Sequence, residues 1–183
     1  MVKTEEKMDR RCGVFLLILI SVSALGCLDK DTRAELEVMK AQAKLEKMNK
    51  AVVMRWFNEV NKGNFETLYA EIFAPKSRHY IPPNSEPLSF EEYKPMARQI
   101  YVSFPEISHT VDEIVAEGDK VVAKILVHTV HSGEFFGIPA TGKELEWTSI
   151  AIFQLAEGKI QARWEIADVN GILQQLGAGM NRD

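Results

Sequence analysis

Thiols are scarce in this chain. Its 183 residues hold two cysteines, Cys12 and Cys27, both near the N-terminus. Beyond Cys27 there is no partner for a disulfide and no Cys-built metal site. Positive charge is not in excess either. Twenty-two Lys and Arg stand against 26 Asp and Glu, a net charge of −4, which argues against nucleic acid as a partner. There is no glycine-rich phosphate loop and no nucleophile elbow. His128 and His131 are not a helical metal pair, because on a strand they fall on opposite faces. A metalloenzyme or a Ser hydrolase is therefore not the expectation. No low-complexity tract or internal repeat is present.

The longest apolar stretch, Val14 to Leu25, is short for a transmembrane helix and follows Lys7, Arg10 and Arg11. It has the length and the basic start of a signal peptide, with Met8 an alternative start. The run ends at Ala24-Leu25-Gly26-Cys27. A small residue directly before Cys resembles the lipobox of a bacterial or archaeal lipoprotein, with Cys27 as the lipidated first residue. Ala24 and Leu25 depart from the preferred residues of that pattern. The alternatives are an uncleaved signal anchor or a cut elsewhere. Removing residues 1–26 takes away four basic and three acidic residues, so the charge moves from −4 to −5. The resulting division is a signal peptide over 1–26, a lipidated Cys and spacer over 27–44, one domain over 45–177 and a tail over 178–183.

Periodicity predicts the elements of that domain. Leu45, Met48, Val52, Trp56 and Val60 fall at three- and four-residue steps, within a helix from about Thr32 to Asn61. Before Leu45 the stripe is thinner and the segment reads as a solvated spacer. Asn64 is a cap for a short helix carrying Phe65, Leu68 and Ile72. Lys76 to Pro87 reads as a Pro-rich loop. Ser89 and Glu92 form a capping box for a helix to about Val102, with a kink or late start at Pro95. After Pro105 the period changes to two. Two hairpins follow, turning at Gly118-Asp119 and at Glu157-Gly158, and "GILQQLG" closes as a short helix. Along Val121–His131 both faces are largely apolar. Helices can cover one, and a second subunit the other, which motivates a homodimer. Helices first and an antiparallel sheet afterwards make an α+β domain with room for a pocket between the layers.

Four stretches in order, "FETLYAEIFAP", "FPEISHTVDEIVAEGDKVV", "HSGEFFGIPATGKELEW" and "EGKIQARWEIADVNGILQQLG", resemble the SnoaL-like polyketide cyclase, or ester cyclase, family of the nuclear-transport-factor-2-like superfamily. The resemblance runs from about Leu45 to Gly177. It implies a cone-shaped α+β fold, with N-terminal helices on a curved antiparallel sheet, and a cofactor-independent cyclase. In that family an Asp in the pocket is the general acid/base of an intramolecular aldol closure. Its counterpart by position is Asp168, after Trp164-Glu165 and before "GILQQLG".

The residues themselves leave two roles open for Asp168. It ends the alternating row Ile160, Ala162, Trp164, Ile166, which places a carboxylate in apolar surroundings if the strand stays regular. It also stands where an N-cap is required. His131 matches a family position commonly held by His and is the expected partner for a carbonyl oxygen or for Asp168; its alternative is a loop-bound strand-end His. His79 and Tyr80 are candidates for the pocket rim, or an ordinary loop pair. Trp56, Trp147 and Trp164 are candidates for ligand-lining rings, or plain core. Glu165 alternates away from Trp164 and reads as a surface or dimer-face charge, and His109 has no motif support.

The expected partner is a small apolar or carbonyl-containing molecule. If the chain turns one over, it acts as a cyclase or isomerase. The rivals are a non-catalytic ligand-binding lipoprotein and an envelope interaction module. The expected location is outside the cytoplasm, membrane-anchored through lipid on Cys27. Fatty-acid labelling of the wild type that Cys27→Ser abolishes is the expected result; labelling unchanged by the substitution would remove the anchor.

Overall fold

A computed structural model of the chain describes residues 30–63 and 65–178. The export segment, Cys27 and the Asn64 cap lie outside the described residues. The chain divides into two units between Gln42 and Ala43. In the first, the described residues belong to helix α1 (Lys30–Val60) and are exposed, Leu36, Val38 and Met39 included. An i,i+3 pair, Glu37–Lys40 at 2.9 Å, is the kind of contact that supports such a solvated stretch. Among the described residues no helix is long and apolar enough to cross a membrane.

The second unit holds the rest of α1, then α2 (Phe65–Ile72), β1 (Phe73–Tyr80), α3 (Phe90–Ser103), β2 (Ser108–Glu117), β3 (Lys120–Val130), β4 (Glu144–Ala156), β5 (Lys159–Ala167) and α4 (Val169–Leu176). The strands form one sheet in the order β1-β5-β4-β3-β2. Neighbours are antiparallel except β1, which runs parallel to β5. The α+β architecture is the expected one.

The period-two reading of β3 and β4 holds. Val121, Ala123, Ile125 and Val127 are buried on one face, opposite Phe153, Ala151, Ser149 and Trp147 of β4. Against them pack Val53, Trp56, Phe57 and Val60 of α1, and Phe65, Leu68, Tyr69 and Ile72 of α2. Each such side chain contributes about 1.5–3 kcal/mol on burial. Polar bonds set the height of α1. Asn49 Nδ2 donates to the Gly118 carbonyl at 3.1 Å, and the Gly118 N–H donates to Glu46 Oε1 at 3.1 Å. Gly118 has φ +58, the left-handed conformation the β2–β3 turn needs.

Helix α3 starts at Phe90 on the Ser89–Glu92 capping box and runs through Pro95, so no late start occurs. Ser103, at its end, accepts the N–H groups of Ser132 and Gly133 on its carbonyl, each at 3.0 Å. This brings the loop after β3 against the helix. A Cβ on Gly133 would stand 2.5 Å from the Val102 carbonyl oxygen, so only glycine permits this approach.

Two expectations are corrected. The reading of Lys76–Pro87 as loop fails, because Lys76–Tyr80 belongs to β1. Its polar residues Ser77 and His79 are buried, each in contact with the Tyr69 hydroxyl, so the strand shows no hydrophobic alternation there. The regular alternation assumed along β5 fails as well. Leu155 pairs with Ile160 but Gln154 with Ala162 and Phe153 with Arg163. Gln161 is therefore an extra residue, a β-bulge, and the phase of the strand reverses there. Downstream of it Arg163, Glu165 and Ala167 face the helices, and Trp164 and Ile166 face the other side.

That outer face is apolar and open. Leu126, Ile150, Ile152 and Ile166 are all exposed, and Ile150 pairs with Ile166 as Ile152 pairs with Trp164. The Trp164 ring stacks on Tyr80 at 4.7 Å.

Candidate functional site

Between the helices and the inner face lies a cavity of about 310 Å³. Its walls are aromatic and aliphatic, from Trp56 and Phe57 of α1 through Tyr101 and Phe104 to Trp147 of β4. Ile81, Pro82 and Phe136 come from loops and Val169 from the β5–α4 junction; Phe136 is exposed. A few polar side chains interrupt the apolar lining: His109, Ser149, Arg163 and Glu165, with the hydroxyl-bearing rings of Tyr93 and Tyr101. Few polar groups on an apolar wall is the usual make-up of a small-molecule site.

Arg163 and Glu165 are two residues apart on β5, so both face inward once the bulge has set the phase. They form an ion pair with side chains 10% and 21% exposed. Arg163 also donates to the Tyr93 hydroxyl at 3.3 Å and lies 5.6 Å from the centre of that ring. The Arg163 Nε has no hydrogen-bond partner among the described residues.

Behind Tyr93 is a neutral polar layer. The His79 ring stacks on Tyr93 at 4.5 Å and 7°. Its Nε2 is hydrogen-bonded to the Tyr69 hydroxyl, which also meets Ser77 Oγ. Burial, with a smaller push from the Arg163 charge, lowers the His79 pKa to about 3, so the ring is neutral at physiological pH. Burial likewise raises the Tyr69 hydroxyl to about 12. Neither group titrates near pH 7; both serve to hold Tyr93.

His109 lies at the start of β2 and faces the cavity. Its Nδ1 is 2.9 Å from Asn61 Oδ1, and its backbone N–H donates to the same oxygen at 2.9 Å. Burial first, and the Arg163 charge second, lower its pKa to about 4.

A model of the SnoaL-like polyketide cyclases matches residues 51–176. The chain belongs to that family. It is 28% identical over 114 residues to the aklanonic acid methyl ester cyclase DnrD of Streptomyces peucetius, covering 61% of this chain and 76% of that protein. Among solved structures, IdmH from Streptomyces antibioticus superposes with a TM-score of 0.65 at 29% identity, over 70% of this chain and 98% of that one. TsrD from Streptomyces laurentii gives 0.62 at 26%, over 72% and 96%.

Within this SnoaL-like domain the expected residues are sorted by the sheet. Trp56 and Trp147 line the cavity. Trp164 and Tyr80 do not; they stack on each other on the outer face. His79 is not a rim residue, but is fully buried one ring behind the wall. His131 is fully buried and does not line the cavity. Its Nδ1 accepts the Thr141 N–H at 3.3 Å and meets Thr141 Oγ1 at 3.0 Å, so the ring ties down its own loop.

Asp168 shares a face with Trp164 and Ile166 as expected, but the bulge makes that the outer face. It is exposed, is not part of the cavity lining, and accepts the Gly171 N–H at 2.9 Å as the N-cap of α4. A Cβ on Gly171 would collide with its carboxylate, so the glycine keeps room for the cap.

Three residues that sequence reasoning set aside or missed stand in the cavity instead. Counted by twos along β5, Glu165 reads as a surface or dimer-face charge, and Arg163 falls on the same side as Glu165. The signal available was a charged pair two apart on a strand, "RWE", beside a strand-end turn that tolerates a bulge. For His109 no sequence signal pointed to Asn61, 48 residues away.

The cap role fixes what substitution of Asp168 does. Asn at 168 caps about as well as Asp and leaves stability nearly unchanged, whereas Ala costs on the order of 1 kcal/mol. Chemical denaturation of the two variants checks this. A large loss with Asn, or none with Ala, would show that Asp168 does something other than cap.

Proposed function

We propose that this SnoaL-like domain binds a small, flat, carbonyl-containing molecule and catalyses a cyclisation or isomerisation of it without a cofactor. The observation that carries the reading is the Arg163–Glu165 pair set in an otherwise apolar cavity. Family membership and the similarity to an ester cyclase support the reaction class. The Glu165 carboxylate takes a proton from the carbon beside the substrate carbonyl. The electrons of that C–H bond move onto the carbonyl oxygen, and an Arg163 N–H donates a hydrogen bond to the enolate oxygen as charge develops. In an aldol closure the enolate carbon then bonds to a second carbonyl carbon, and the alkoxide so formed takes the proton back from Glu165. In an isomerisation the proton returns to a different carbon. The apolar walls keep water from competing with these bonds.

Proton exchange at the carbon beside a carbonyl isolates the first step. With 2-tetralone in deuterated water as probe, the wild type accelerates exchange seen by NMR. Glu165→Gln lowers that rate by on the order of 100-fold, because an amide cannot take the proton, while the fold is retained. Wild-type exchange no faster than buffer, or a Gln variant equal to wild type, would defeat the assignment.

The wider setting of the reaction is part of the same proposal. The chain is exported and held at a membrane through lipid on Cys27, on the strength of the Gly26-Cys27 junction. It is a homodimer through the outer sheet face, where Ile150, Ile152 and Ile166 stand beside the Tyr80–Trp164 stack. A contiguous apolar patch of this kind is more often covered than left in water. Solution scattering at micromolar concentration then gives a dimeric mass for the wild type and a monomeric one for Ile150→Lys; a monomeric wild type would defeat the dimer.

A further inference from the structure

His109 has a property that the acid/base reading does not use. Asn61 follows the last residue of α1, and its amide is oriented without ambiguity, because Nδ2 donates to the His109 carbonyl at 3.0 Å. Oδ1 is therefore the atom facing the ring, and it can only accept. The contact at 2.9 Å between that oxygen and Nδ1 requires the proton on Nδ1. A neutral imidazole carries one N–H, so Nε2 is left as a bare lone pair. Nε2 has no hydrogen-bond partner among the described residues, and the ring lines the cavity. One side of the ring is occupied by Phe57, at 6.0 Å between centres, and its backbone is fixed by pairing with Val127. The lone pair is thus a rigid acceptor in an apolar wall.

We propose that His109 selects ligands bearing an enol or phenol hydroxyl on a flat apolar body, by accepting the hydroxyl hydrogen at Nε2. This rests on the cavity being a ligand site, as in the reading above, and adds the ligand's polar group. The acceptor calls for a hydrogen-bond donor on the ligand, and the donor that a carbonyl compound supplies by enolisation is a hydroxyl. The rings of Trp56, Phe57, Tyr101, Phe104 and Trp147 define a flat unsaturated carrier, and a hydroxyl on such a carrier is an enol or a phenol. The ring is not a second base. Its lowered pKa leaves it neutral and weakly basic at pH 7, so it accepts a hydrogen bond without removing the proton. The ionisable side chains that share the cavity with it are Arg163, Glu165, Tyr93 and Tyr101. A ligand that lacks the hydroxyl leaves the lone pair desolvated and unpaired, and this gives the discrimination.

The test has two arms on the full chain. Long-range proton–nitrogen NMR on histidine-labelled protein reads the tautomer directly. The expected result is His109 protonated at Nδ1 and bare at Nε2 from pH 8 down to pH 5. An Nε2–H tautomer, or protonation near the ordinary histidine value of about 6.5, would overturn the proposal. The second arm compares binding of 2-naphthol and 2-methoxynaphthalene, which share one flat body. The wild type prefers the naphthol by roughly tenfold. His109→Phe loses that preference and still binds the ether, and Asn61→Leu weakens the preference by freeing the tautomer. Equal wild-type affinity for the two probes overturns the role of His109 alone. Failure of both to bind overturns the ligand cavity and the proposal with it.

Discussion

A guanidinium facing an apolar cavity needs a fixed partner for its charge, and Arg163 imposes that condition on everything around it. Glu165 answers the charge, and the Tyr93 hydroxyl accepts one N–H. Tyr93 in turn is held by the stacked ring of His79, and His79 by Tyr69, which also bonds Ser77. The chain of contacts runs from β5 through α3 to β1 and α2. It gives a physical reason for β1 to carry buried Ser and His where an apolar strand would otherwise pack. The same network fixes the direction of the Glu165 carboxylate, which in water would sample many rotamers.

The site keeps charged and neutral polar groups apart. Charge is concentrated on one strand, in Arg163 and Glu165, while His79 and His109 are both pushed toward the neutral form by burial, with the Arg163 charge adding to it. A nearby cation thus serves two ends. It stabilises negative charge developing on a ligand oxygen, and it discourages a second positive charge on either histidine. The two imidazoles then differ by what they touch. His79 has Nε2 bonded to Tyr69 and lies behind the wall, whereas His109 is held at Nδ1 and its ring lines the cavity with Nε2 open.

Much of the fold was legible in the residues. The helices around Trp56, Phe65 and Tyr93, the two hairpins and the closing turn announce themselves through periods of 3.6 and 2 and through caps such as Ser89–Glu92. β1 was not legible, because its buried residues beyond Ala74 are the polar Ser77 and His79, and parallel pairing with β5 leaves no turn signal next to it. Trp164, Glu165 and Asp168 were misplaced for one reason. Counting by twos from Ile160 puts Trp164 inside and Glu165 outside, and a single extra residue at Gln161 inverts both. Asp168 followed the count onto the outer face, where only its capping role remains.

The sequence by itself determined the element types outside β1, the α+β class, the family and the residues from which a site can be built, since these depend on local pattern and on chemistry carried by each side chain. Only the tertiary structure decided which of those residues share the cavity. Facing is a property of strand phase, and a bulge changes phase without any apolar residue marking it. Pairing across distance, as between Asn61 and His109, has no local signal at all: it exists only because the end of a helix and the start of a strand meet in three dimensions.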